Sequence, residues 1–238
     1  MQNISNLRVK IFSDGADKAK MLEMYEKPFI KGLTTNPTLM KKAGIKDYKS
    51  FCLDILKEIK DKPLSFEVFS DDFHEMITQA HEIASWGENV YVKIPIMNTK
   101  KEMCYQYVEK LVNEGIKVNV TAIMTLEQVK EINKVLSKDV PSYVSIFAGR
   151  IADTGVDPVQ IIKESIDILE ENTLAEIIWA SPRELLNIFQ ASEIGCHIIT
   201  VTPDIINKMK LISYDLDEYS LDTVKMFYDD AVSAGYKI

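Results

Sequence analysis

The stretch that decides the fold runs Leu64-Ser-Phe-Glu-Val-Phe69, then Asp71-Asp-Phe-His-Glu-Met-Ile-Thr-Gln-Ala-His-Glu-Ile-Ala84, then Val90-Tyr-Val-Lys-Ile94. The outer pieces are short and rich in β-branched and aromatic residues, which reads as strand. In the middle piece Phe73, Met76, Ile77, Ala80, Ile83 and Ala84 recur at steps of three and four, one face of a helix. Asp71 and Asp72 suit its start, where a carboxylate caps free amides and meets the positive end of the helix dipole. Strand, crossover helix and strand in this order form a unit that joins parallel strands.

Working outward, the same alternation fills the chain. Further runs are Val9-Lys-Ile-Phe-Ser13, Gly32-Leu-Thr-Thr35, Lys117-Val-Asn-Val-Thr-Ala-Ile123, Tyr143-Val-Ser-Ile-Phe147, Glu176-Ile-Ile-Trp-Ala180 and His197-Ile-Ile-Thr-Val201, so eight strands are expected. Thr125 with Gln128 has capping-box spacing, and Asp157-Pro158 opens another helix with proline in its first turn. The nine Gly and eight Pro are scattered, and no linker divides the sequence. Eight such units without a boundary predict an α/β protein, a closed (β/α)8 TIM barrel occupying 1–238 as one domain. An open doubly wound sheet would bring a glycine-rich phosphate loop after the first strand, and Ser13-Asp-Gly-Ala-Asp17 is no such loop. A further helix, at about 220–234, carries Leu221, Val224, Phe227, Tyr228 and Ala231 on one stripe, which must be covered by its own barrel or by a neighbour.

Composition removes several function classes. The 238 residues carry 28 Lys and Arg against 36 Asp and Glu, a net charge of −8. An acidic chain is a poor partner for nucleic acid or an anionic membrane. No apolar run approaches the ~18 residues of a membrane span. The first residues lack the charged-then-apolar order of a signal peptide. Three widely spaced Cys (Cys52, Cys104, Cys196) form no disulfide framework, so a reducing cytoplasm is expected. His74, His81 and His197 have no metal-ligand spacing, and neither metal nor cofactor is expected.

Catalytic groups of such barrels sit at the C-terminal strand ends. Alternation puts Val90, Val92 and Ile94 on one face and Tyr91 and Lys93 on the other, toward the interior. An interior lysine is rare, because burying an ammonium is costly. Burial favours the neutral amine, the nucleophile that forms a Schiff base with a ketone; the competing reading is a lysine paired with a carboxylate. Glu67 is flanked by apolar residues and also faces inward. Asn119 and Thr121 share a face. Asp14, Thr34-Thr-Asn36, Ser145 with Phe147 and Arg150, and Ser181-Pro-Arg183 complete the set. Seven of eight strands thus end in candidate groups, more than capping requires. The 28 basic residues comprise 25 Lys and three Arg, and Arg150 and Arg183 both follow late strands, where these barrels bind phosphate and where planar guanidinium groups suit anions. Pro182 is expected in the first turn of a helix whose dipole favours that anion.

Leu33-Thr-Thr-Asn-Pro-Thr38, the Val-Lys-Ile-Pro95 strand and Phe147-Ala-Gly-Arg-Ile151 together resemble the transaldolase family, and the length resembles its short branch, which includes the fructose-6-phosphate aldolases. The resemblance runs from about Val9 to the end. It implies a class I aldolase barrel with Lys93 as the Schiff-base lysine and Asp14 as the acid/base at the C4 hydroxyl. It implies that Glu67 and Thr121 hold the water of carbinolamine formation and dehydration. Asn36 would lie near the Schiff base, Asn119, Ser145 and Phe147 in the substrate site, and Arg150, Ser181 and Arg183 at the phosphate. The short aldolases are similar but carry Gln at the Glu67 position and Tyr at the Phe147 position, and they lack the Asn119 equivalent. The site therefore follows the transaldolase pattern. Ketose and aldose phosphates are the implied substrates. Free aldol cleavage and a different anionic ketose, such as a 6-sulfonate, are the alternatives. Short members assemble as pentamers or decamers through the C-terminal helix, so a homo-oligomer is expected.

Overall fold

Eight strands close into one parallel barrel in sequential order: β1 (Lys10–Asp14), β2 (Ile30–Thr34), β3 (Leu64–Glu67), β4 (Val90–Pro95), β5 (Val118–Ile123), β6 (Ser142–Ile146), β7 (Ala175–Trp179) and β8 (Ile198–Val201). The computed structural model describes residues 6–238; the first five residues, part of the segment read for a signal peptide, lie outside the described residues. Around the barrel run α1 (Lys18–Tyr25), α2 (Pro37–Lys42), α3 (Tyr48–Glu58), α4 (Phe73–Ala84), α5 (Tyr105–Asn113) and α6 (Leu126–Val135). They continue with α7 (Ala148–Ala152), α8 (Pro158–Leu169), α9 (Leu186–Glu193), α10 (Pro203–Asn207) and α11 (Leu216–Ser233).

The expected caps form. Asp72 accepts from Glu75 N at the head of α4, Thr125 and Gln128 make a reciprocal box on α6, and Asp157 caps α8 with Pro158 in its first turn. β3 is two residues shorter than its apolar run, because the Gln79 side chain accepts from the Phe69 and Ser70 amides and turns the chain away. Pro182 does not open a helix: α9 begins at Leu186, without a side-chain cap, so no helix dipole stands behind Ser181. α11 starts before the apolar stripe, because Asp215 accepts from the Asp217 and Glu218 amides.

Period-two alternation sorts the strands into two cores. Outward residues such as Val90, Val92 and Ile94 pack beneath the helices. Inward residues Phe12, Tyr91, Tyr143, Ile178, Ala180 and Ile198 form a separate plug. Tyr91 stacks on Tyr143 at 4.0 Å, and Phe12 meets Tyr143 edge-on at 5.7 Å. Such pairs add about 0.5–1.5 kcal/mol each beyond the area they bury. Gly32 is required here: a Cβ would lie 2.5 Å from the Phe12 ring. The register arranges the inward residues in tiers of four from alternate strands, as this architecture demands. Above the aromatic floor lie Phe12, Ser65, Asn119 and Ile178, then Thr34, Lys93, Ser145 and Thr200, then Asp14, Glu67, Thr121 and Ala180 at the mouth. The upper two tiers are almost wholly polar, so the floor seals the barrel and the mouth carries the chemistry.

Candidate active site

Lys93 is 6% exposed. Its Nζ lies 3.0 Å from Glu67 Oε2 and donates to the Thr35 carbonyl at 2.8 Å. The two readings of this lysine therefore meet at one atom: it is buried and paired, and its partner is another candidate residue. Adjacent β3 and β4 place Glu67 and Lys93 side by side in register. The backbone of Glu67 is itself clasped by Tyr48, whose hydroxyl accepts from the Glu67 amide and donates to its carbonyl, both at 2.8 Å.

Asp14 stands at the mouth across from this pair. Thr34 Oγ1 donates to its Oδ1 at 2.8 Å, and Asn36 Nδ2 approaches its Oδ2 at 3.5 Å. Burial pushes the Asp14 carboxyl above the usual range; the nearby Lys93 ammonium and the Thr34 hydrogen bond oppose that shift, and Glu67 adds to it. Asn36 has a second task, since its Oδ1 accepts from Leu39 N and caps α2.

Asn119 is fully buried one tier below Lys93, with both ends of its amide engaged. Its Nδ2 donates to Ser65 Oγ at 3.0 Å and its Oδ1 accepts from Ser145 Oγ at 2.7 Å. Thr121 differs: its hydroxyl is buried and has no partner among the described residues. The next residue, Ala122, has a left-handed backbone with φ 61°, and the β5–β6 register shifts there. A bulge of this kind re-aims the neighbouring side chain, and non-glycine strain of this kind collects at functional sites.

On the β6–β7 side, Phe147 packs on the interior plug. Arg150 is exposed, and its side chain makes no hydrogen bond or ion pair among the described residues. Arg183 is instead held by Asp153: Nε donates to Oδ1 at 3.2 Å and Nη2 to Oδ2. This uses one edge of the guanidinium fork and leaves the Nη1 edge open. Ser181 has φ 55°, and its carbonyl lies against Gly149, where a Cβ would come within 1.7 Å. The glycine of the Ala-Gly-Arg motif is what lets α7 bring Arg150 close to the β7 loop.

The structure thus gathers Asp14, Asn36, Glu67, Lys93, Asn119, Thr121, Ser145 and Phe147 around the mouth, with Arg150, Ser181 and Arg183 grouped at the ends of β6 and β7. Sequence reasoning missed Ser65, Thr200, Tyr48 and Asp153. Ser65 and Thr200 carried a signal, as polar residues in apolar strands on the inward alternation. Tyr48 and Asp153 carried none, since each acts through a contact between separate elements. Elsewhere, His81 in the last turn of α4 pairs with Glu114 at 3.1 Å, and the three Cys are buried and free.

A closed barrel thus sets a buried lysine, a candidate nucleophile, beside a glutamate, with a buried aspartate at the same mouth. The family model and the curated relatives agree on the family. The family model described as Transaldolase/Fructose-6-phosphate aldolase matches residues 11–238, and the chain belongs to this family. A "Probable transaldolase" of Thermoanaerobacter sp. is 35% identical over 234 residues, 97% of this chain and 100% of that one. One from Methanococcus maripaludis is 36% identical over 205 residues, 84% of this chain and 89% of that one. A crystal structure of a protein from Burkholderia cenocepacia J2315 matches with TM-score 0.57 at 12% identity, over 81% of this chain and 76% of that chain, a likeness of fold alone.

Proposed function

We propose that the protein is a transaldolase that moves a dihydroxyacetone unit from a ketose phosphate to an aldose phosphate through a Schiff base on Lys93. The observation that carries this is the Lys93 ammonium, buried in the mouth with the Glu67 carboxylate 3.0 Å away. Glu67 takes a proton from the ammonium, and the free amine attacks C2 of the ketose. A water held between Glu67 and the unpaired Thr121 hydroxyl moves protons while the carbinolamine loses water. The protonated imine is the electron sink. Asp14 removes the C4 hydroxyl proton, C3–C4 breaks, and the aldose phosphate leaves. The bond's electron pair remains as an enamine on Lys93, and an acceptor aldehyde such as erythrose 4-phosphate takes it in the reverse steps. Burial suits Asp14 to this exchange, since a carboxyl raised toward neutrality both takes and returns a proton. Arg150, Ser181 and the open edge of Arg183 receive the anionic head group.

Two observations favour transfer over release of free dihydroxyacetone. Residue 67 is Glu rather than Gln, and residue 147 is Phe, with no hydroxyl to orient a water. The deciding experiment is borohydride reduction with fructose 6-phosphate followed by mass spectrometry, beside a turnover assay with and without acceptor. A dihydroxyacetone adduct on Lys93, lost in Lys93→Ala, with turnover that depends on acceptor, is the expected result. Full activity in Lys93→Ala would overturn the proposal. One observation keeps a second head group in play: Asp153 offsets the charge of Arg183, leaving Arg150 as the uncompensated cation. That balance suits a singly charged sulfonate as well as a phosphate, and kcat/KM for the two ketoses decides.

The homo-oligomer belongs to the same reading. No residue of α11 is buried, and Leu221, Val224, Phe227 and Tyr228 are all largely exposed. Its own barrel does not cover the stripe, which leaves a neighbouring copy. Light scattering of the full chain should report a pentamer or decamer, and a monomer would remove the idea.

A further inference from the structure

β8 is the strand whose end offers no obvious catalytic group in the sequence, yet its single polar residue, Thr200, is 7% exposed and lies in the tier of Lys93. Its Oγ1 is 2.6 Å from Thr34 Oγ1. A threonine hydroxyl has one hydrogen to give, and a carboxylate only accepts. The Thr34 hydrogen is committed to Asp14 Oδ1 at 2.8 Å. The short contact between the two threonines then has one polarity: Thr200 donates and Thr34 accepts. Asn36 is fixed by a similar argument. Its Oδ1 is occupied by the Leu39 amide at 2.9 Å, so its Nδ2 is the end turned toward Asp14 Oδ2, at a long 3.5 Å.

The two oxygens of Asp14 are therefore unlike. Oδ1 is the end of a directed chain, Thr200 to Thr34 to Asp14, in which each bond polarises the next. Oδ2 has only a distant donor. We infer that Thr200 is a positioning residue for this acid/base: through Thr34 it fixes the carboxylate and leaves Oδ2 as the oxygen that takes the substrate proton. Thr200 itself touches no reacting atom. In cleavage the C4 hydroxyl proton passes to Oδ2, the O–H electron pair becomes the new C=O bond, and the C3–C4 pair moves into the enamine. In transfer the same oxygen returns the proton to the new hydroxyl.

The inference rests on Asp14 as the acid/base, and the test separates the two. Transfer kinetics and borohydride trapping are measured on the full chain for Thr200→Val, Thr200→Ser, Thr34→Val, the Thr34→Val/Thr200→Val double variant and Asp14→Asn. Loss of one bond in such a chain lowers kcat about five- to tenfold in Thr200→Val. KM stays within about twofold, and borohydride capture of the intact ketose imine on Lys93, which forms before C3–C4 breaks, is unchanged, because neither reads the proton at C4. Thr200→Ser restores most of the rate. In the Thr34→Val background, where the chain is already cut, Thr200→Val costs less than about twofold, the non-additivity of residues acting as one unit. Equal losses in both backgrounds, or a wild-type kcat in Thr200→Val, overturn the inference while leaving the transaldolase reading intact. Wild-type transfer by Asp14→Asn overturns the acid/base role of Asp14 and, with it, the inference. Should Thr200→Val fail to fold, Thr200→Ala carries the same comparisons.

Discussion

Glu67→Gln removes one charge from a buried pair and changes little else, so its cost can be worked from the structure. The two side chains are 7% and 16% exposed and 3.0 Å apart. At an effective dielectric of about 20 the attraction is about 5–6 kcal/mol, most of it offset by the cost of taking both ions out of water. Removing one partner of a buried pair typically costs about 3–5 kcal/mol, because the other charge is left stranded. Here Lys93 keeps the Thr35 carbonyl at 2.8 Å, and the glutamine oxygen still accepts. The expected loss is therefore about 2–3 kcal/mol, a fall in Tm of about 4–12 °C for a chain of this size. Adding Lys93→Met removes the stranded charge, so the double variant should be more stable than Glu67→Gln alone. Thermal and urea unfolding followed by circular dichroism measures both. Transfer should fall about a hundredfold in Glu67→Gln, since the proton acceptor for the amine is gone. An unchanged Tm, or strictly additive effects in the double variant, would refute the view that Glu67 holds the lysine's charge.

Three further outcomes are expected. Phe147→Tyr should raise release of free dihydroxyacetone relative to transfer, read as product formation without acceptor; an unchanged ratio means that position does not decide the branch. Gly149→Ala places a methyl within 1.7 Å of the Ser181 carbonyl; α7 must shift, and KM for anionic ketoses should rise about tenfold or more while the far-ultraviolet spectrum is kept. His197 accepts from the Ile177 amide at 3.1 Å through Nδ1, and burial holds its imidazole below the usual range. The unfolded chain therefore binds the proton first, so this contribution to stability is complete above pH ~6.5 and is lost as pH falls below it. His197→Asn should flatten the Tm profile between about pH 5 and 7.

The sequence by itself determined the barrel and the faces of its strands. Periodicity is a local property: a step of two fixes which residues point inward, and a step of three and four fixes which helix face is apolar. That was enough to bring Lys93, Glu67, Asn119 and Thr121 to the interior and Asp14 to its mouth. It could not decide which inward residues meet. Those contacts follow from the stagger of neighbouring strands, which is set when all eight close together, and no segment of sequence carries it. Closure alone pairs Lys93 with Glu67, lines Thr200 behind Thr34 and Asp14, and leaves the Thr121 hydroxyl unpaired. The Ser181 loop taught the same lesson in reverse. Its residues suggested a helix start, but α9 begins at Leu186, and the carboxylate that holds Arg183 comes from Asp153, at the end of α7 in another βα unit. The stripe of α11 was legible as apolar, yet only the tertiary structure decided that its own barrel leaves it exposed.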